Sequence, residues 1–257
     1  MATALITGGT SGIGAAFARA LAARGDDLVL VARNPDRLAE MAIEIKDRYA
    51  VSVETIVADL GDRDDTLRVA DRVASADQPI DLLVNNAGFG VHARLTAADT
   101  SPHEYAFDVM CRAVLILAAA AGRAMTARGH GAIINVSSTA GFLTMGGYSA
   151  IKAWATAFSE SLAVELAGTG VTVTALCPGY VRTEFHQRAE INASKIPGPA
   201  WLDADVLVAD CLSDVAHRRV VSIPSARYKV GIFLARHVPR SAVRAVSGLL
   251  SSGRRSG

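Results

Sequence analysis

Cysteine is scarce in this sequence. Cys111, Cys177 and Cys211 are the three in 257 residues, too few and too scattered for a disulfide framework or a zinc site. A reducing, cytoplasmic compartment is the expectation. Aromatic residues make up 5% of a chain that is 51% hydrophobic, so Ala, Val, Leu and Ile must fill the interior of an ordered protein. Long apolar runs are missing as well: AVLILAAAA ends at Gly122 and Arg123, short of the roughly 18 to 20 residues that span a bilayer. The start, MATALITGG, reaches a glycine loop at once and leaves no room for a signal peptide. The histidines are isolated, with no second ligand at metal-binding spacing, so no metal is expected. Acidic residues stop at Asp214. The last 43 residues carry nine basic side chains, from Arg218 to Arg255, which leaves 17 basic against 25 acidic residues before them. The net charge of +1 therefore joins an acidic body to a basic end. Nucleic acid is a poor partner for that end, because Tyr228 and Phe233 are its only aromatic residues.

What is present is alternation. TALIT, DLVLVA, VSVETIVA, IDLLVN, GAIINVS and VTVTALC are short apolar runs separated by longer helical stretches, including one from about Ser101 to Arg128 and one from Tyr148 to Leu166. Strands apolar throughout must be covered on both faces, which describes a parallel sheet wound in βαβ units. The expected fold is a single-domain, Rossmann-like, doubly wound α/β sheet. Residues 1–225 form its dinucleotide-binding and catalytic part, and 226–257 a basic, helical extension of the same domain.

The first βα turn reads Thr7-Gly8-Gly9-Thr10-Ser11-Gly12-Ile13-Gly14. Between a strand and a helix, such a loop lets backbone N–H groups approach a pyrophosphate at the positive helix end. The second strand ends at Ala32, where an NAD-preferring site commonly carries an acid, and Arg33 follows. An arginine there accommodates a 2′-phosphate, so NADP is favoured over NAD. Tyr148 and Lys152 are four apart on a predicted helix and share a face. A nearby ammonium lowers the pKa of a phenol, and the pair would serve as acid and base. They follow a strand that ends in Ser137-Ser138, at the sheet edge where open α/β folds bind ligands.

Thr7-Gly8 with Gly12 and Gly14, Asp59-Leu60, Asn85-Asn86-Ala87-Gly88, Ser138, Tyr148 with Lys152, and Cys177-Pro178-Gly179 with Thr183 together resemble the classical branch of the short-chain dehydrogenase/reductase family, in order over about residues 3 to 185. The resemblance implies that Asp59, followed by Leu60, contacts the adenine region and that Asn86, Ala87 and Gly88 flank the adenosine ribose. It also implies that Lys152 binds the nicotinamide ribose and that the Pro178 to Thr183 loop, with Gly179 and Val181, sets the nicotinamide face. Ser138 would polarise the substrate oxygen while Tyr148 moves the proton, and a homo-oligomer is expected. The family usually carries an Asn where this chain reads Asp108-Val109-Met110. Met110 removes that amide, and turnover would need its main-chain carbonyl, freed by a local helix irregularity, to hold a water.

A lid from Glu184 to about Asp210, containing Phe185, Ile191, Ile196, Pro197, Trp201 and Leu202, is expected over an apolar pocket with Phe89, Phe142, Leu143 and Met145. A lipophilic ketone such as a 3-oxoacyl chain is the leading substrate, with a steroid-like or other hydrophobic alcohol next. The alternative in another class is an NADP-binding sensor without turnover. After Pro239, Val243, Val246 and Leu250 recur at helical spacing beside Arg240 and Arg244. Such a helix suits packing on the protein, an anionic membrane surface or an acidic carrier.

Overall fold

The structure is a computed structural model that describes residues 2–91, 93–183 and 197–252. Seven strands, β1 (Thr3–Thr7), β2 (Asp27–Ala32), β3 (Val53–Val57), β4 (Leu82–Asn85), β5 (Gly131–Val136), β6 (Val171–Leu176) and β9 (Val221–Ser222), form one sheet. Its order is β3-β2-β1-β4-β5-β6-β9, and every pair is parallel. Successive side chains alternate faces. Leu5, Val29 and Val31 enter one core while Ala4, Ile6, Leu28 and Leu30 enter the other. Both faces are covered, which is why the runs read as apolar without alternation. At the edge of the sheet β3 departs from that rule, with Glu54, Thr55 and Val57 exposed.

Helices α1 (Gly12–Ala22) and α2 (Pro35–Arg48) cover one face. On the other lie α3 (Arg63–Ala74), α4 (Ser101–Phe107), α5 (Ala113–Arg128) and α6 (Gly147–Glu165). Side-chain caps start several of them: Asn34 accepts from the Arg37 amide and Asp62 from the Asp65 amide, satisfying amides that a helix end leaves unpaired. Between α4 and α5 the expected long helix carries a π turn over Asp108–Arg112, in which the Ala113 amide bonds to the Asp108 carbonyl. Met110 is buried at its centre. A local helix irregularity is expected beside Met110, and this π turn is one.

Two expectations need correction. By mean hydropathy over an 18-residue window, the Ser101–Arg128 helix is apolar enough to cross a membrane, although no single run looked it; 61% of that window is buried inside the fold, as a core helix is. The lid does not extend to Asp210. Trp201–Leu202 (β8) pairs with Tyr180–Val181 (β7), Asp203 caps α7 (Ala204–Ala216), and Leu207 and Val208 are buried in the core against α1. Phe185, Ile191 and Ile196 lie outside the described residues. The basic end folds back on the body. Ile232 of α8 (Ala226–His237) and Val243 and Ser247 of α9 (Arg240–Ser252) are buried, and Ser247 Oγ accepts from the Thr144 amide at 3.1 Å. Of the three readings of the apolar stripe, packing on the protein therefore holds at Val243, while Val246 stays exposed.

Candidate active site

The sheet reverses its winding between β1 and β4, and the chain leaves these strands for opposite faces. A crevice opens at such a switch point, beyond the carboxyl ends of the strands. Thr7 ties the two strand ends together: its Oγ1 accepts from the amides of Asn86 and Ala87 at 2.9 and 3.0 Å. Asn86 Nδ2 donates back to the Thr7 carbonyl at 2.9 Å. Gly8 and Gly12 take left-handed backbone angles, with φ of 66° and 54°, which glycine adopts without a steric cost. A Cβ on Gly14 would lie 2.2 Å from the Gly8 carbonyl oxygen, so only glycine lets α1 start this close. The Ser11 side chain does not cap the amide end of α1, and the positive pole of that helix faces the crevice. Thr10, Ser11 and Gly12 line a cavity of about 290 Å³ there with Arg182 and Thr183. The glycine loop, the Asn86-Ala87-Gly88 turn and the Thr183 loop therefore meet. They form a cradle that fits a dinucleotide pyrophosphate.

Arg33 and Asp59 stand at the ends of β2 and β3, at the outer end of the crevice. Arg33 donates to the Tyr105 hydroxyl at 2.7 Å, and that hydroxyl donates to Asp59 at 2.8 and 3.1 Å. Tyr105 was not singled out from sequence, since a tyrosine early in an amphipathic helix carries no signal. Leu60 and Val181 have buried, core-packed side chains, so either can face a ligand only through its backbone.

At the inner end, Ser138 caps the short 3₁₀ turn Thr139–Phe142, its Oγ accepting from the Ala140 amide at 3.1 Å. Gly146, at φ 93°, turns the chain into α6, whose first turn brings Tyr148 beside Ser138. One turn on, Lys152 is 5% exposed. Its Nζ donates to the Val136 carbonyl at 2.7 Å and lies 5.7 Å from the Tyr148 ring centre. The trio expected from sequence is brought together, but its electrostatics differ from the expectation. Burial pushes the Tyr148 hydroxyl up to about 12, and the Ser138 hydrogen bond only partly offsets this. Burial also holds Lys152 down to about 8, against the smaller opposing pull of Cys111 and Cys177. Desolvation, which a sequence does not display, is the largest cause of both shifts. Met110 Sδ would lie 3.0 Å, and Lys152 Nζ 3.6 Å, from a Cβ on Gly88. Met110 therefore fills the floor of the site beside the ammonium.

The carboxyl-terminal helices hold the site from outside. The Tyr228 ring lies so close on Gly179 that a Cβ there would meet it at 2.0 Å. Tyr228 Oη accepts from the Tyr180 amide at 3.1 Å and donates to the Ala200 carbonyl at 2.9 Å. Pro178 is drawn to the other side of the loop, its carbonyl accepting from Thr139 Oγ1 at 3.1 Å. Of the side chains expected to line an apolar pocket, Phe89 instead stacks on Tyr105 at 5.4 Å. Phe142 lies under the Arg236 guanidinium at 5.3 Å. Among the described residues, no cluster of three or more His, Cys, Asp or Glu side chains is placed to hold a metal.

Residues 2–193 match the family model for short chain dehydrogenases. A short-chain dehydrogenase from Sphingobium yanoikuyae, solved in complex with NADPH, is 35% identical and superposes with a TM-score of 0.84, covering 95% of this chain and 96% of that one. The bulky-bulky ketone specific alcohol dehydrogenase from Comamonas testosteroni is 31% identical, with a TM-score of 0.80 and 95% of each chain covered. Galactitol 2-dehydrogenase (L-tagatose-forming) from Cereibacter sphaeroides is 33% identical over 245 residues, which is 91% of this chain and 92% of that protein.

A lysine depressed from 10.5 to about 8 carries a cost of about 3 kcal/mol for keeping its charge buried. Because the folded value is the lower one, the cost is fully present below pH 8 and is relieved between about 8 and 10.5. Lys152→Met should therefore equal or exceed the parent in unfolding free energy at pH 7, and the difference should shrink by pH 10. Urea titrations at the two pH values measure this; a variant much less stable at pH 7 would contradict the burial cost.

Proposed function

The chain belongs to the short-chain dehydrogenase family, and from that premise we propose that it is an NADP-dependent oxidoreductase interconverting a lipophilic ketone and its secondary alcohol. Enzymes of this family are nicotinamide-dependent oxidoreductases acting on ketones and alcohols. The observation that carries the catalytic reading is the Ser138, Tyr148 and Lys152 arrangement at the inner end of the crevice. When bound, the cofactor supplies a hydride to the carbonyl carbon. In this reading Ser138 Oγ orients the carbonyl oxygen, and Tyr148 Oη gives that oxygen its proton as the C=O electron pair moves onto it. Lys152 spends one of three N–H donors on Val136, and its charge favours the phenolate left on Tyr148. The main-chain turn at Met110 would pass the replacing proton inward through a water, so the missing Asn amide does not abolish turnover.

NADP, rather than NAD, is supported by Arg33 beside Ala32 and by the NADPH bound to the Sphingobium relative. A lipophilic substrate is supported by Leu143 and Met145 on the loop after Ser138 and by the bulky ketones of the Comamonas enzyme. A 3-oxoacyl chain is the first substrate to try and a steroid-like alcohol the second. The galactitol enzyme favours a second reading, a polyol substrate, and a panel containing all three classes decides between them. Three free cysteines, all buried, support a cytoplasmic location, and a homo-oligomer is proposed from the family's habit. On the outer face of α8, Val230, Phe233 and Leu234 are exposed with Lys229 and Arg236 beside them. These residues support peripheral contact with an anionic lipid surface or an acidic carrier.

Tyr148→Phe should lower turnover by about 10² to 10⁴ while leaving NADPH affinity nearly unchanged; stopped-flow oxidation of NADPH measures the first and a fluorescence titration the second. Comparable turnover removes Tyr148 as the acid. Arg33→Ala should weaken NADPH by about 10- to 100-fold and spare NADH; equal losses detach Arg33 from the 2′-phosphate. Anionic vesicles should co-sediment the chain at low salt and release it at high salt, whereas no binding at low salt ends the lipid reading.

A further inference from the structure

Arg33 and Asp59 leave neighbouring strands on either side of Tyr105, and among the described residues Arg33 forms no ion pair with Asp59. We propose that Tyr105 is a specificity-determining residue: its hydroxyl holds the Arg33 guanidinium ready for the 2′-phosphate of NADP and shields that phosphate from the Asp59 carboxylate. This rests on the reading of Arg33 as the 2′-phosphate anchor.

The hydrogen bonds fix the direction of the relay. An arginine can only donate and a carboxylate can only accept, so the Tyr105 hydroxyl accepts from Arg33 at 2.7 Å and donates to the Asp59 carboxylate oxygens at 2.8 and 3.1 Å. Both links are charge-assisted. Desolvation first, and then Asp59, raise the pKa of the phenol, so it keeps the proton that the relay needs. The ring is fixed on two sides. A Cβ on Gly61 would lie 2.0 Å from Tyr105 Cε2, and Phe89 stacks on the ring at 5.4 Å. Arg33, by contrast, is exposed.

A fixed post thus restrains a flexible arm. An exposed arginine loses rotamer freedom when it closes on a phosphate, and a partner that already holds it lowers that loss. One of five guanidinium donors is spent on Tyr105, leaving four for the phosphate. Asp59 is a liability beside a 2′-phosphate, because like charges repel, and the Tyr105 proton lies across both carboxylate oxygens. NAD has neither the phosphate nor the repulsion, so its binding should not sense the relay.

Calorimetric titration with NADPH and NADH, on the full chain and on Tyr105→Phe, Arg33→Ala and the double variant, tests this. Phenylalanine keeps the ring on Gly61 and Phe89, and thermal melts of the free variants check that the fold survives. Tyr105→Phe should weaken NADPH about three- to tenfold and leave NADH within about twofold. In the Arg33→Ala background, the same change should have no further effect. Equal losses for both cofactors, tighter NADPH binding, or an undiminished loss without Arg33 would each overturn the proposal. If Arg33→Ala leaves NADPH affinity unaltered, the reading of Arg33 fails and takes the proposal with it. If Arg33→Ala weakens NADPH but Tyr105→Phe does not, the role of Tyr105 alone fails.

Discussion

An ammonium group is costly to bury, and this fold buries one at the end of its central strands, where Lys152 is 5% exposed and donates to the Val136 carbonyl at 2.7 Å. Much of the surrounding structure serves that position. Gly146 turns the chain so that α6 starts against the sheet edge. Ser137 reaches from the end of β5 to the Lys152 carbonyl at 2.6 Å, pinning the first turns of the helix. Met110, buried within the π turn, closes the floor. The stability forgone there is the usual cost of a strained functional site. It leaves a proton donor and a cation within one helical turn of each other, with the donor held up near 12 and the cation down near 8.

The two ends of the crevice solve opposite electrostatic problems. At the inner end, charge is made scarce by burial, so that loss of a proton from the Tyr148 hydroxyl would change the local field strongly. At the outer end the charges are exposed or half-exposed, where solvent screens them. There geometry has to supply what burial does not, and the chain Arg33, Tyr105, Asp59 supplies it through short hydrogen bonds. Between the ends, the uncapped amide pole of α1 and the close approach of Gly14 to Gly8 need no charged side chain at all.

The sheet, its parallel winding and the crevice were legible because apolar runs of strand length alternate with helical periods, and because glycine, Asn86 and the Tyr148–Lys152 pair fall at strand ends. The π turn was legible from one substitution, Met110 in place of an amide. Tyr105 was not, since its role depends on Gly61 and Phe89 making room for a ring, a relation among three distant positions. Tyr228 was hidden for the same reason: its partner is Gly179, 49 residues away in sequence. The lid was drawn too long because Leu207 and Val208 are as apolar in a core helix as they would be over a substrate. The pKa ordering escaped because residue spacing gives proximity but not solvent exclusion.

The central claim is a hydride transfer completed by a proton from Tyr148, and isotope transfer tests it most directly. Ketone reduction with NADPH carrying deuterium at one C4 position, run separately for the two stereoisomers, should place one deuterium on the carbinol carbon from one isomer and none from the other. Tight NADPH binding with no deuterium delivered from either isomer to any ketone in a broad panel would contradict the account and leave a cofactor-binding protein without turnover.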